Sequence, residues 1–336
     1  MYKQLICCVL FKFNKDLDLH QGVSIGGGIM KLSIIGVPTY YGCDNNGTQH
    51  SPEKLRNAKV IDLIKDNGKI EVADLGDIDV KEMMESDKFK NEKDIKYFES
   101  IYDLNFKLSK AVDKAMDNSD FTLILGGDHG IGLGSITGAS KHSKNLGVVW
   151  IDAHGDFNTS ATSPSKNFHG MPLACLCGHG DSRLVNLYYD GVKIEEENVF
   201  HIGGRDIDKG EQDLLDNSKV NLYDKKVIDK IGLEDVVNDI IKKCKEQNVD
   251  GLHISLDIDF MDKFIVEGTG TRVAGGYTVE DTKYILKRLM KVGIVKSMDF
   301  VEFNPRLDVN DNTLKICKDL LEYFGQLLSC KELINC

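Results

Sequence analysis

Long apolar runs are missing from this chain. No stretch approaches the roughly 18 apolar residues that a membrane-spanning helix needs, so no membrane association is expected. Prolines are scarce, five in 336 residues. No linker, internal repeat or low-complexity stretch divides the sequence, and one domain is expected. Positive charge is in deficit: 42 Lys and Arg against 53 Asp and Glu leave a formal net charge of −11. Phosphate binding needs a basic surface, which argues against nucleic acid as a main partner. Cysteine is present but without a frame, nine residues odd in number and scattered. They read as reduced thiols of a cytoplasmic protein and not as a disulfide scaffold. Cys175 and Cys177 have no second pair with which to complete a tetrahedral metal site.

What is present is ordinary in bulk and specific in detail. Hydrophobic content of 41% and charged content of 28% suit a globular protein. Apolar, β-branched runs at Leu32–Val37, Phe121–Leu125, Gly147–Ile151, Val199–Ile202, Leu252–Ile258 and Val295–Val301 are continuous rather than alternating, as expected of strands covered on both faces. Between them, Phe98–Met116, Leu233–Cys244, Val279–Leu289 and Leu314–Leu328 carry apolar residues at helical spacing. Alternation of strand and helix over about 300 residues predicts an α/β fold with a doubly wound, mainly parallel sheet between helical layers. Residues 1–29 read as an extension outside that fold, with 30–336 as the domain. Gly26-Gly27-Gly28 ahead of Met30 reads as a translated ribosome-binding stretch and makes Met30 the expected start.

Three short runs fall where strands should end: Gly126-Gly127-Asp128-His129, Asp152-Ala153-His154-Gly155-Asp156 and Asp257-Ile258-Asp259. Ligands of doubly wound sheets sit beyond the carboxyl ends of the strands. Strand alternation would aim Asp152, His154 and Asp156 one way, and Asp257 with Asp259 likewise. Such a gathering of acids and imidazoles would repel itself unless a cation sat among it. Four carboxylates and two imidazoles (His129, Asp152, His154, Asp156, Asp257, Asp259) are hard, oxygen-rich ligation that favours Mn²⁺ over Zn²⁺. Six ligands with bridging carboxylates suit two ions about 3.5–4 Å apart, a pair that makes water acidic enough to act near neutral pH. The bland alternative is that Asp128 or Asp152 only caps a following helix.

Other polar residues lie close by in sequence. The loop Asn158 to Gly170 carries short amides and hydroxyls, including Asn158, Ser165 and Asn167, which can bind a carboxylate by neutral hydrogen bonds or simply form a polar turn. Asp208, followed by Glu211, fits a helix capping box and equally an ammonium-binding acid. Glu302 is flanked by apolar Val301 and Phe303, unlike a surface acid. His169 has the one side chain type that titrates near neutrality. His253 shares parity with Asp257, so it points the same way but deeper, most simply as a packed residue.

The runs Gly-Gly-Asp-His, Asp-Ala-His-Gly-Asp, Ser-Leu-Asp-Ile-Asp and Val-Glu-Phe-Asn-Pro, in that order, resemble the ureohydrolases, and among them the arginases, from about Leu32 to Leu328. The resemblance implies an eight-stranded sheet and trimers or hexamers. It implies one manganese on His129, Asp152, Asp156 and Asp257, and a second on Asp152, His154, Asp257 and Asp259, with Asp152 and Asp257 bridging. It assigns Asn158, Ser165 and Asn167, spaced seven and then two residues apart, to the α-carboxylate of L-arginine. Asp208, supported by Glu211, takes the α-ammonium, and Thr271 lies near the substrate. Glu302 pairs with the guanidinium and His169 is the proton shuttle; with Asp156 these form the catalytic group. The implied reaction yields L-ornithine and urea. A hydrolase of agmatine or another guanidino compound, a single-zinc deacetylase on a similar fold, and an inactive homologue are the competing expectations. The chain departs from the family pattern at Gly130, Lys263 and Arg272, where serine, proline and proline are usual; this puts loop rigidity in doubt more than the reaction.

Overall fold

The computed structural model describes residues 29–90 and 92–329. The expected N-terminal extension therefore lies outside the described residues but for Ile29. Eight strands are formed: β1 (Met30–Val37), β2 (Ile70–Asp77), β3 (Phe121–Gly126), β4 (Leu146–Ile151), β5 (Val199–Ile202), β6 (Asn221–Tyr223), β7 (Gly251–Asp257) and β8 (Val295–Val301). They make one parallel sheet in the order β2-β1-β3-β8-β7-β4-β5-β6.

The continuous apolar runs are explained by the two cores. On one face Leu32, Ile34, Leu123, Leu125, Val149 and Ile151 pack against helices Leu233–Glu246, Val279–Met290 and Asn312–Ser329. On the other, the intervening residues Ile35, Val37, Ile124, Val148 and Trp150 pack against Phe98–Met116 and Gly132–Ala139. Successive side chains thus leave the same strand in opposite directions and both are buried.

The two strands without a clear sequence signal are the edges. Alternation in β2 is weak and most of its residues are exposed or half-buried, while β6 is three residues long. Helix Gly132–Ala139 also lacks an amphipathic stripe, because every residue in it is buried. Its glycines permit a close approach to Phe98–Met116: a Cβ at Gly134 would lie 2.7 Å from the Asn105 carbonyl oxygen, and one at Gly138 2.5 Å from that of Ser109. The order of the sheet sets β3, β8, β7 and β4 side by side at its centre. Their carboxyl ends carry His129, Glu302, Asp257 and Asp152.

Candidate metal centre

Strand alternation does not hold the second run together. β4 ends at Ile151, and Asp152 to Asp156 form a loop in which Asp156 takes a left-handed φ of 51°. Backbone pinning replaces alternation. Asp152 N donates to Ile202 O at 3.1 Å, Arg205 N to Ala153 O at 2.8 Å, and His201 Nε2 lies 2.6 Å from His154 O. In the third run Asp257 closes β7, while Asp259 sits in the 3₁₀ turn Ile258–Phe260 with its N–H on Asp257 Oδ1 at 2.7 Å. Glu302, just past β8, is a second left-handed residue, φ 64°, held by its N–H to Gly127 O at 2.9 Å. Non-glycine residues in this region are strained, and strain gathers at functional sites.

The six expected ligands converge. His129 Nδ1 faces Asp152 Oδ2 at 2.7 Å, Asp156 Oδ2 at 3.1 Å and Asp257 Oδ2 at 3.3 Å. His154 Nδ1 faces Asp259 Oδ2 at 3.1 Å and Asp152 Oδ1 at 3.4 Å. Two triples capable of holding a metal ion result, His129–Asp152–Asp257 and Asp152–His154–Asp259, each with ligand atoms within 4.8 Å of one another. Asp152 belongs to both, one oxygen turned to each.

Burial and charge argue for cations here. Burial, then the neighbouring carboxylates, push Asp257 well above the ordinary carboxylate range; burial also raises Asp259, and burial with Asp152 pushes Asp156 up to about 7. Burial also works against Asp152, but His129 and His154 hold it well below its ordinary value. Divalent cations would satisfy all of these oxygens at once, so the donor set fits a metal pair.

A polar column beneath His129, which the sequence reading missed, fixes how that ring presents itself. β7 and β8 pair His253 with Ser297 and Ser255 with Asp299. Ser255 Oγ donates to Asp299 Oδ2 at 3.2 Å and lies 2.8 Å from His129 Nε2. With its proton spent on Asp299, Ser255 accepts from His129 Nε2–H, which turns Nδ1 toward the carboxylates and makes it the ring atom that a cation would use. His253, deeper on the same face as its parity implied, puts Nδ1 2.8 Å from Ser297 Oγ and Nε2 3.0 Å from Asp299 Oδ2. Trp150 stacks on His129 with centroids 4.0 Å apart and donates its indole N–H to Asp152 Oδ2 at 3.1 Å. The parity of Ser255 with Asp257, and of Trp150 with Asp152, was the available signal.

The remaining site residues surround this centre. Glu302 Oε1 accepts from His129 N at 2.9 Å and lies 3.2 Å from His169 Nδ1, so Oε2 keeps no protein donor among the described residues. Burial lowers the affinity of His169 for its proton, but Glu302, with Asp156 and Asp128 behind it, outweighs this and holds the imidazole at about 9. Asn158 Nδ2 donates to Asp208 Oδ2 at 3.1 Å. Asp208 opens helix Lys209–Asp216 with the expected capping box, its N–H on Glu211 Oε2 at 3.2 Å, and Glu211 also accepts from Phe157 N at 2.7 Å. Ser165 is exposed and accepts from Asn167 N at 3.2 Å. Thr271 turns its hydroxyl to Asp259 Oδ2 at 3.1 Å, which places it behind a ligand.

Asp128 plays the bland part foreseen for it, capping the turn His129–Ile131 through Gly130 N at 3.0 Å. A Cβ at Gly130 would lie 2.8 Å from Asp128 Oδ1 and 3.0 Å from Phe168 Cδ1, so glycine suits this tight turn. At Lys263 the turn is held without proline by Asp262, whose carboxylate accepts from Phe264 N and Gly276 N, each at 3.0 Å. Five described cysteines, Cys43, Cys175, Cys177, Cys244 and Cys317, are free and buried.

An all-parallel three-layer sheet with acids and imidazoles gathered over its central carboxyl ends defines a metal-dependent α/β hydrolase architecture. The model of the arginase family matches residues 30–325. The arginase of Staphylococcus aureus is 40% identical over 299 residues, 88% of this chain and 98% of that protein. A crystal structure of arginase from Bacillus subtilis superposes with a TM-score of 0.80 at 38% identity, covering 88% of this chain and 98% of that one. Arginase from Entamoeba histolytica in complex with L-ornithine gives a TM-score of 0.79 at 30% identity, covering 89% and 100%. The chain belongs to the arginase family of hydrolases.

Proposed function

We propose that this protein hydrolyses L-arginine to L-ornithine and urea with two manganese ions. The observation that carries the choice of substrate is the Asn158–Asp208 hydrogen bond, two residues beyond Asp156. An α-amino acid head presents an ammonium and a carboxylate on one carbon; Asp208 suits the first, and Asn158 with its loop neighbours Ser165 and Asn167 suits the second. L-Ornithine, bound by the Entamoeba histolytica relative, has that same head. Manganese is favoured by the hard donor set of four carboxylates and two imidazoles.

A bound pair of divalent cations supplies a water acidic enough to attack near neutral pH. The chain's own residues do the rest. Glu302, with Oε2 free, pairs with the guanidinium and sets its carbon over the centre. That pairing draws negative charge away from His169, whose proton becomes easier to release. Water adds to the guanidinium carbon, the bond from that carbon to the chain nitrogen breaks, and His169 supplies a proton to the leaving amine; of the two protons that the water gives up, one restores His169 and the other completes the ammonium of L-ornithine. Thr271 and Ser255 orient Asp259 and His129. The free, buried thiols suit a reducing compartment, and we assign the protein to the cytoplasm, as a trimer or hexamer, with residues 30–336 as one catalytic domain.

Agmatine lacks the α-carboxylate and would leave the Asn158 loop without a partner. Urea release from L-arginine is expected to exceed that from agmatine at equal concentration; faster agmatine turnover would overturn the choice. Asp208→Ser keeps a helix cap and removes the charge. It is expected to raise KM for L-arginine about tenfold, the loss of one charge-assisted hydrogen bond, with thermal stability retained. An unchanged KM would remove Asp208 from the binding site.

A further inference from the structure

One lysine at the edge of the carboxylate subsite is not accounted for by the assignments above. Lys96 lies just ahead of helix Phe98–Met116 and is only 9% exposed. Its backbone N–H is tied to Lys166 O at 3.1 Å, and its ammonium donates to Asn167 Oδ1 at 2.8 Å and to Asp44 Oδ2 at 2.6 Å. Asn167 Nδ2 donates to the same Asp44 oxygen at 3.2 Å, and Lys88 Nζ holds the other at 2.7 Å. Burial opposes ionisation of Asp44, but the two lysines and the amide hold it down at about 2. Asp44 is two residues from Gly42, whose carbonyl accepts from His169 N at 2.9 Å, so this cluster is built into the wall of the site.

Two consequences follow from the donor inventory. An ammonium only donates, so Asn167 Oδ1 must face Lys96 and the amide has one orientation. Nδ2 then carries two hydrogens, one given to Asp44 and one left for a ligand. In the flipped amide, oxygen would face an incoming carboxylate and repel it. The cluster also has a net charge: two lysines against one aspartate leave +1 in a half-buried setting, where a charge acts more strongly than in water.

We propose that Lys96 is a specificity-determining positioning residue: it locks the Asn167 amide with Nδ2 as donor and gives the subsite a positive field, so that guanidino substrates bearing an α-carboxylate are selected. This rests on the assignment of Asn158, Ser165 and Asn167 to that carboxylate.

The test compares KM and kcat for L-arginine and for agmatine in the metal-loaded wild type, Lys96→Met, Lys96→Arg and Asn167→Ala. Lys96→Met is expected to raise KM for L-arginine roughly tenfold with kcat changed less than twofold, the scale of one charge-assisted bond. The ratio of kcat/KM for arginine over agmatine should fall by a similar factor, and Lys96→Arg should restore at least half of it on a logarithmic scale. A purely structural lysine would lower both substrates alike. Should Lys96→Met not fold, Lys96→Gln, which keeps a donor for Oδ1 and loses only the charge, carries the same comparison with a smaller shift. An unchanged arginine-to-agmatine ratio in a folded Lys96 variant, with Asn167→Ala still impaired on arginine, overturns this inference alone. A wild type that shows no discrimination for the carboxylate, or an Asn167→Ala that discriminates as well as the wild type, removes the subsite assignment, and this inference falls with it.

Discussion

Asp152→Ala is expected to leave the purified protein with less than one divalent ion per chain and to lower urea release roughly a thousandfold or more, since the ions supply several kcal/mol of transition-state stabilisation. Asp152 is the residue common to both ligand triples, its Oδ2 turned to His129 and its Oδ1 to His154. Asp257, the other bridging ligand that the resemblance implies, enters only the triple with His129. Asp156 faces only His129, so Asp156→Ala should deplete one ion ahead of the other. Elemental analysis after gel filtration, beside a urea assay on the same sample, checks both. Two tightly held ions in Asp152→Ala would contradict a shared ligand.

Glu302→Gln should separate binding of metal from positioning of substrate. The amide keeps the shape and the bond from His129 N but loses the charge that faces the guanidinium. Metal content is expected to stay at two ions, while kcat/KM for L-arginine falls about a hundredfold, roughly 3 kcal/mol, the usual scale for removing one partner of a buried charge pair. A second effect has a definite sign. The Glu302 carboxylate raises His169 to about 9, so its removal lets that pKa fall toward the ordinary imidazole value of about 6.5. His169 then loses its proton at lower pH, and the alkaline limb of the rate profile should move toward acid. An unmoved limb would take His169 out of the proton transfer.

Much of the candidate site is legible in the sequence, for reasons that differ by residue. The six candidate ligands were legible because each run is short and local, and because ligands of a doubly wound sheet collect at strand ends. Strand alternation does not bring the second run together: Asp152 to Asp156 is a pinned loop with Asp156 left-handed, a conformation that spacing alone does not reveal. Helix Phe98–Met116 was found with both ends correct because its apolar residues form one stripe. Gly132–Ala139, buried all round, has no stripe to find, and the edge strands β2 and β6 lack the two-sided apolar pattern of the central ones. Lys96 lies 52 residues from Asp44 and 71 from Asn167, yet its ammonium touches both directly, so nothing in sequence joins them.

Metal stoichiometry of the unsubstituted protein tests the paired centre most directly. Chelator-stripped protein would be titrated with Mn²⁺ while bound metal and urea release from L-arginine are followed together. Two ions per chain are expected, with full turnover reached only as the second is taken up. Saturation at a single ion, or undiminished activity in the stripped protein, would contradict it.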